Sequence, residues 1–116
     1  MRIKKEVLEK ILALCKEAYP NEVAGILLGT DTVNDFVIMP GEYFEASVYV
    51  KTYNIPIYPN AAGTFHSHPG PPVPSRADLD FFSKTGREHL IIGWPYNLEN
   101  IRSYDSMGRR APLQII

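Results

Sequence analysis

The run VAGILLG, residues 23 to 29, constrains the fold more than any other stretch of this sequence. It is apolar without interruption and ends in glycine, which suits a strand buried on both faces and not one with a wet side. A sheet containing such a strand needs cover above and below. The preceding segment, RIKKEVLEKILALCKEAYP, supplies one cover: Ile3, Val7, Leu8, Ile11, Leu14, Cys15 and Ala18 fall at helical spacing, with lysines and glutamates opposite. This predicts a helix over residues 4 to 18, stopped by Pro20. A second helix is signalled by Ser75 followed by Asp78, an N-cap and its N3 partner; it should run from Ser75 or Arg76 to Thr85, with Gly86 as its stop.

The remaining segments read mostly as strands. DFVIMP, a stretch near 46 to 51, GTFHSH ending at His68, HLIIGW, and residues 101 to 105 carry the apolar, β-branched or alternating patterns expected of a sheet. A turn at SMGRR leading into PLQII suggests that the chain closes on a hairpin, and PGPPVP excludes regular structure. Helix, strands, helix, strands is the order of an α/β (α+β) sandwich, a mixed sheet flanked by two main helices. At 116 residues with 45% hydrophobic content, one domain over residues 1 to 116 can bury a core without disulfides.

Charge and cysteine usage narrow the function classes. Twelve basic residues against 13 acidic ones leave no basic excess, so nucleic acid and anionic membranes are not expected partners. No apolar run approaches the roughly 18 residues of a membrane span. Cys15 has no partner for an internal disulfide; lying in the helical stripe without a local base, it reads as a small buried hydrophobe and not as a nucleophile. With no positively charged segment followed by an apolar one at the start, a cytoplasmic location is expected.

The chemistry concentrates in TFHSHPGPPVPSRADLD, residues 64 to 80. On a strand, His66 and His68 face the same side about 6 to 7 Å apart along the chain, a spacing that can chelate one ion. Asp78, in the first turn of the following helix, can complete a His, His, Asp set with an open fourth position, as catalytic zinc requires. Three N and O donors without thiolate make zinc the leading metal. Taken singly, each residue has a blander reading: H-x-H occurs on ordinary surfaces, and Ser75 and Asp78 explain themselves as helix caps. Hydrolysis also needs a base, and Glu22, in PNEVAG at the mouth of the buried strand, is the candidate; alone it reads as a solvated loop carboxylate.

PNEVAGILLG, then HSHP, then Ser-x-x-Asp, in that order along most of the chain, resembles the JAMM (MPN-plus) family of zinc-dependent isopeptidases, most of all its minimal archaeal and bacterial members. The resemblance implies a JAMM, cytidine-deaminase-like fold binding one Zn2+ per chain through His66, His68 and Asp78. It implies Glu22 as the catalytic glutamate and Ser75 as the hydroxyl that hydrogen-bonds the oxyanion. The implied reaction is deubiquitinase-like: hydrolysis of the amide after the C-terminal tail of a ubiquitin-like or sulfur-carrier protein, in deconjugation or in precursor processing. One departure stands out: PGPPVP, Pro69 to Pro74, is one residue shorter than the family's usual connection. Glu42 to Pro59, with Tyr43, Phe44, Tyr49, Tyr53 and Tyr58, is the expected edge or flap for an extended substrate. Two alternatives remain: a metal-free MPN-type binding scaffold, and a RadC-like DNA-linked protein. A zinc nucleobase deaminase is excluded by the single cysteine. Monomer and homodimer are both open.

Overall fold

The computed structural model describes residues 1–39, 58–85 and 87–116. In chain order the elements are β1 (Arg2–Ile3), α1 (Lys5–Ala18), β2 (Ala24–Leu28), β3 (Asp35–Met39), β4 (Ala61–His68), α2 (Arg76–Thr85), β5 (Glu88–Gly93), a 3₁₀ turn (Leu98–Asn100), β6 (Ile101–Tyr104) and β7 (Gln114–Ile115). Five strands form a mixed sheet in the order β3-β2-β4-β5-β6. All its neighbouring pairs are antiparallel except β4 and β5, which run parallel. The crossover between those two is α2, as a parallel connection requires.

Every residue of β2 is buried, and alternation along the strands distributes the cover. Leu27, Phe65, Leu90 and Ile92 share a core with Val7, Leu8, Ile11, Leu12 and Cys15 of α1. Ile91, one residue out of phase, packs with Phe81 and Phe82 of α2 and with Tyr104. The two helices therefore lie on opposite faces of the sheet, and each fully buried aliphatic side chain contributes about 1.5–3 kcal/mol. On the α2 face near β3, Ile26, Leu28 and Met39 form a further cluster against which Tyr58 packs. Tyr58, an aromatic of the expected flap that core packing explains equally well, is thus half-buried against the core. The strand expected near 46 to 51, the other aromatics of the flap and the stop at Gly86 lie outside the described residues. No helix among the described residues is long and apolar enough to cross a membrane.

Two local expectations are corrected. Leu12 and not Leu14 belongs to the buried stripe, because at 100° per residue Leu12 continues the Leu8 row while Leu14 falls on the stripe's flank. The closing hairpin is only begun: Tyr104 bridges Arg110 and the Ala111 amide donates to the Ser103 carbonyl (2.8 Å). Beyond it, β7 leaves β6 and pairs in parallel with β1, where the Gln114 amide donates to the Met1 carbonyl (2.8 Å) and the Ile116 amide to the Ile3 carbonyl (2.9 Å).

Candidate metal centre

The C-terminal ends of parallel β4 and β5 open on one edge of the sheet, the place where α/β folds present ligand sites. His66 and His68 stand there on the face covered by α2, and the chain returns through Pro69 to Pro74 into the start of α2. Helix capping aims Asp78 at them. The Ser75 Oγ accepts the Asp78 amide N–H (3.1 Å), while the Asp78 Oδ2 accepts the Ser75 amide N–H (2.8 Å), a reciprocal capping box. With its backbone so fixed, Asp78 places Oδ1 3.1 Å from His66 Nε2 and Oδ2 3.1 Å from His68 Nε2. The two Nε2 atoms are themselves 2.9 Å apart.

These donors converge on one point: one ligand atom from each of His66, His68 and Asp78 lies within 4.8 Å of the others. The contacts are slightly tighter than the roughly 3.3 Å between neighbouring donors around a tetrahedral zinc with bonds of about 2.0–2.1 Å. Two imidazoles and a carboxylate suit a divalent metal ion of hard or borderline character. The Pro71 carbonyl can only accept, so His68 Nδ1, 3.2 Å away, donates to it, which leaves Nε2, facing Asp78, as the nitrogen that would ligate a metal after giving up its proton.

Electrostatics agree with a site built for positive charge. Burial pushes the Asp78 carboxyl up, but hydrogen bonds from His66 and His68, the charge of His66 and the Ser75 amide outweigh it and hold the group far below the usual carboxylate range. Burial pulls His68 down, and the hydrogen bond and charge of Asp78, the Pro71 carbonyl and the charge of Glu22 together raise it above its ordinary value.

Glu22 is exposed and lies just before β2. The β2 and β4 ladder pairs Ala24 with His66, and the Ser67 amide donates to the Val23 carbonyl (2.8 Å), extending the register one step. Glu22 precedes that rung by one residue, near enough for its charge to act on His68. The structure thus gathers His66, His68, Ser75 and Asp78 into one cluster, with Glu22 at its rim.

Three supporting features escaped the sequence reading. His89 is fully buried, stacked on Phe82 at 4.1 Å. It is hydrogen-bonded through Nδ1 to Thr64 Oγ1 and through Nε2 to Thr85 Oγ1, so it ties β4, β5 and α2 together beneath the metal ligands. Burial, with the charge of His66, pushes it down to about 3, so it stays neutral. Its phase with Ile91 in HLIIGW was the available signal. The second feature is the seat of the Pro69 to Pro74 loop. A Cβ on Gly93 would fall 2.6 Å from the Pro72 side chain and 2.8 Å from the Gly70 carbonyl oxygen, so the loop rests on bare backbone at the end of β5. Tyr104 Oη donates to the Pro72 carbonyl (2.8 Å) and the Trp94 amide to the Gly70 carbonyl (3.0 Å). The short connection is absorbed by this close path. The third feature is Ser67, which reads in HSHP as a spacer yet is fully buried and accepts the Val23 amide at 2.8 Å.

A His, His, Asp donor set at the open end of a mixed sheet, with a helix N-terminus behind it, is the arrangement of a metal-dependent hydrolase. Residues 4–106 match the family of prokaryotic homologs of the JAB domain, and the chain belongs to that family. It is 34% identical to a probable metalloprotease of Haloferax volcanii, an alignment covering 96% of this chain and 76% of that protein. Its fold is similar to that of a JAB1/MPN domain protein from Archaeoglobus fulgidus, with a TM-score of 0.81, 30% identity, and coverage of 100% of this chain and 99% of that one. A structure described as JAMM, a metalloprotease-like zinc site in the proteasome and signalosome, superposes with a TM-score of 0.79 at 28% identity, over 100% of this chain and 97% of the other. The fold is therefore that of the JAB/MPN domain, and the protein is a JAMM-like metalloprotease with a candidate metal centre at His66, His68 and Asp78.

Proposed function

We propose that the protein is a zinc-dependent peptidase or isopeptidase that hydrolyses the amide following the C-terminal tail of a ubiquitin-like or sulfur-carrier protein. The observation that carries this reading is the convergence of His66, His68 and Asp78, with Asp78 locked by the Ser75 capping box and Glu22 near enough to act on His68 by its charge. His66, His68 and Asp78 would hold the zinc ion, which when bound would supply Lewis acidity, polarising the scissile carbonyl and lowering the pKa of water to about 7. Glu22, at the exposed rim, takes the proton of the attacking water and passes it to the departing amine. Ser75 Oγ uses a lone pair for the Asp78 amide, which leaves its hydroxyl proton free to donate to the oxyanion. His68 Nδ1, held by Pro71, fixes the ring that presents Nε2. An intact donor set favours this reading over a metal-free scaffold.

The substrate class rests on family likeness and on the site's position at the C-terminal ends of β4 and β5. The test combines metal analysis with hydrolysis of ubiquitin-like conjugates and of C-terminally extended sulfur carriers by the zinc-loaded chain. We expect one zinc per chain and cleavage of at least one substrate kind. Glu22→Gln should abolish turnover while zinc is retained, and His68→Ala should lose both. Full activity in Glu22→Gln would remove Glu22 from the mechanism, and a zinc-loaded chain that cleaves neither kind would overturn the substrate assignment.

A further inference from the structure

We infer that Ser67, placed between the two histidines but facing away from them, is a positioning residue for Glu22. The inference rests on the reading of Glu22 as the proton carrier given above. Where β2 begins, the ladder to β4 changes character. In a regular antiparallel pair, opposed hydrogen-bonded residues exchange both backbone bonds. Here the Ser67 amide donates to the Val23 carbonyl at 2.8 Å, but the return bond goes to a side chain: the Val23 amide donates to Ser67 Oγ, also at 2.8 Å. The last rung before Glu22 is thus closed by a hydroxyl.

That hydroxyl is itself anchored. Ser67 is fully buried on the α1 face, where its side chain hydrogen-bonds Cys15. Burial pushes the Cys15 thiol up to about 11, so it stays protonated and its sulfur can accept the Ser67 proton while Ser67 Oγ accepts from Val23. The Val23 side chain packs against the same α1 core. Backbone amide and side chain of Val23 are both held on one face, so alternation commits Glu22 to the other, beside His68. Without the hydroxyl, the Val23 amide would seek water, and the last rung before Glu22 would rest on the Ser67 amide bond alone.

The series Ser67→Ala, Ser67→Thr and Ser67→Val tests this, since Thr and Val share a shape and differ in the hydroxyl. In the zinc-loaded chain, Ser67→Ala and Ser67→Val should lower kcat about 10- to 100-fold, with KM and zinc content unchanged, whereas Ser67→Thr should stay near wild type. Amide hydrogen exchange at Val23 should quicken in Ala and Val but not in Thr, and the Glu22 carboxyl carbon shift in NMR spectra should move with it. Equal kcat in Thr and Val, or wild-type kcat in Ala, would overturn the assignment. So would zinc loss in step with kcat, which would make Ser67 part of the ligand scaffold. If the wild type hydrolyses nothing, the functional reading fails by itself; unchanged Val23 exchange and Glu22 shift would then overturn the positioning role, and parallel changes in both would sustain it.

Discussion

At the scale of single residues, much of the chemistry depends on side chains that serve two neighbours at once. Asp78 accepts from Ser75 and faces both histidines; Ser67 links Val23 to Cys15. Cys15 shows what burial does to a group with no catalytic part. Its thiol pKa is raised from 9.0 to about 11, so the folded chain holds the proton more tightly than the unfolded one, and stability slopes downward with pH in that window. This contribution is full below about pH 9 and is lost as pH rises toward 11. At pH 8 the thiol of the native chain should resist iodoacetamide, with labelling appearing only at denaturant concentrations that unfold the protein; fast labelling in the native state would contradict the burial. The sequence made this residue legible, because its place in the helical stripe is a local signal. Ser67 was not legible, since its role depends on which strand lies beside it.

At the scale of elements, local patterns specified most of what was expected. Helix α1 and the start of α2 follow from amphipathic spacing and a capping pair, and the metal ligands fall within residues 66 to 78 on adjoining elements. Where the sequence was silent, the missing information was register: the β2 and β4 pairing sets Ala24 beside His66 and so brings the preceding Glu22 within reach of His68 by charge. The capping box also makes the two tasks proposed for Ser75 separable. Ser75→Ala removes the cap, and should cost about 1 kcal/mol in denaturant stability, whereas Ser75→Gly should cost only a few tenths of that unit. Neither retains the hydroxyl, so both should lose turnover by about 10²- to 10³-fold. Activity that tracked stability across the pair would mean that Ser75 acts through the helix alone.

At the scale of the whole molecule, closure comes from segments at opposite ends of the sequence. The parallel pairing of β1 with β7 involves two residues in each strand, too few to carry a periodic pattern, so a closing hairpin was the natural but incomplete expectation. The Gln114 and Ile116 amides and the Ile116 carbonyl, which accepts the Lys5 amide (2.8 Å), tie this pair together. At about 1 kcal/mol per hydrogen bond, deleting residues 113–116 should lower the melting temperature by roughly 10 °C or more. Calorimetry showing an unchanged melting temperature would mean that the pairing adds nothing to stability.

The loop from Pro69 to Pro74 has a consequence beyond its length. Proline has no amide hydrogen to offer, so this stretch is chiefly a strip of acceptors, and three successive carbonyls are each engaged by a different element: Gly70 by Trp94, Pro71 by His68 and Pro72 by Tyr104. The prolines also restrict the unfolded chain, so ordering the loop loses little entropy. The scaffold that carries the ligands is therefore set when the chain folds. Chelation should act on this protein as an on-off control of chemistry with the scaffold left standing, unlike small zinc domains that come apart when the metal is withdrawn.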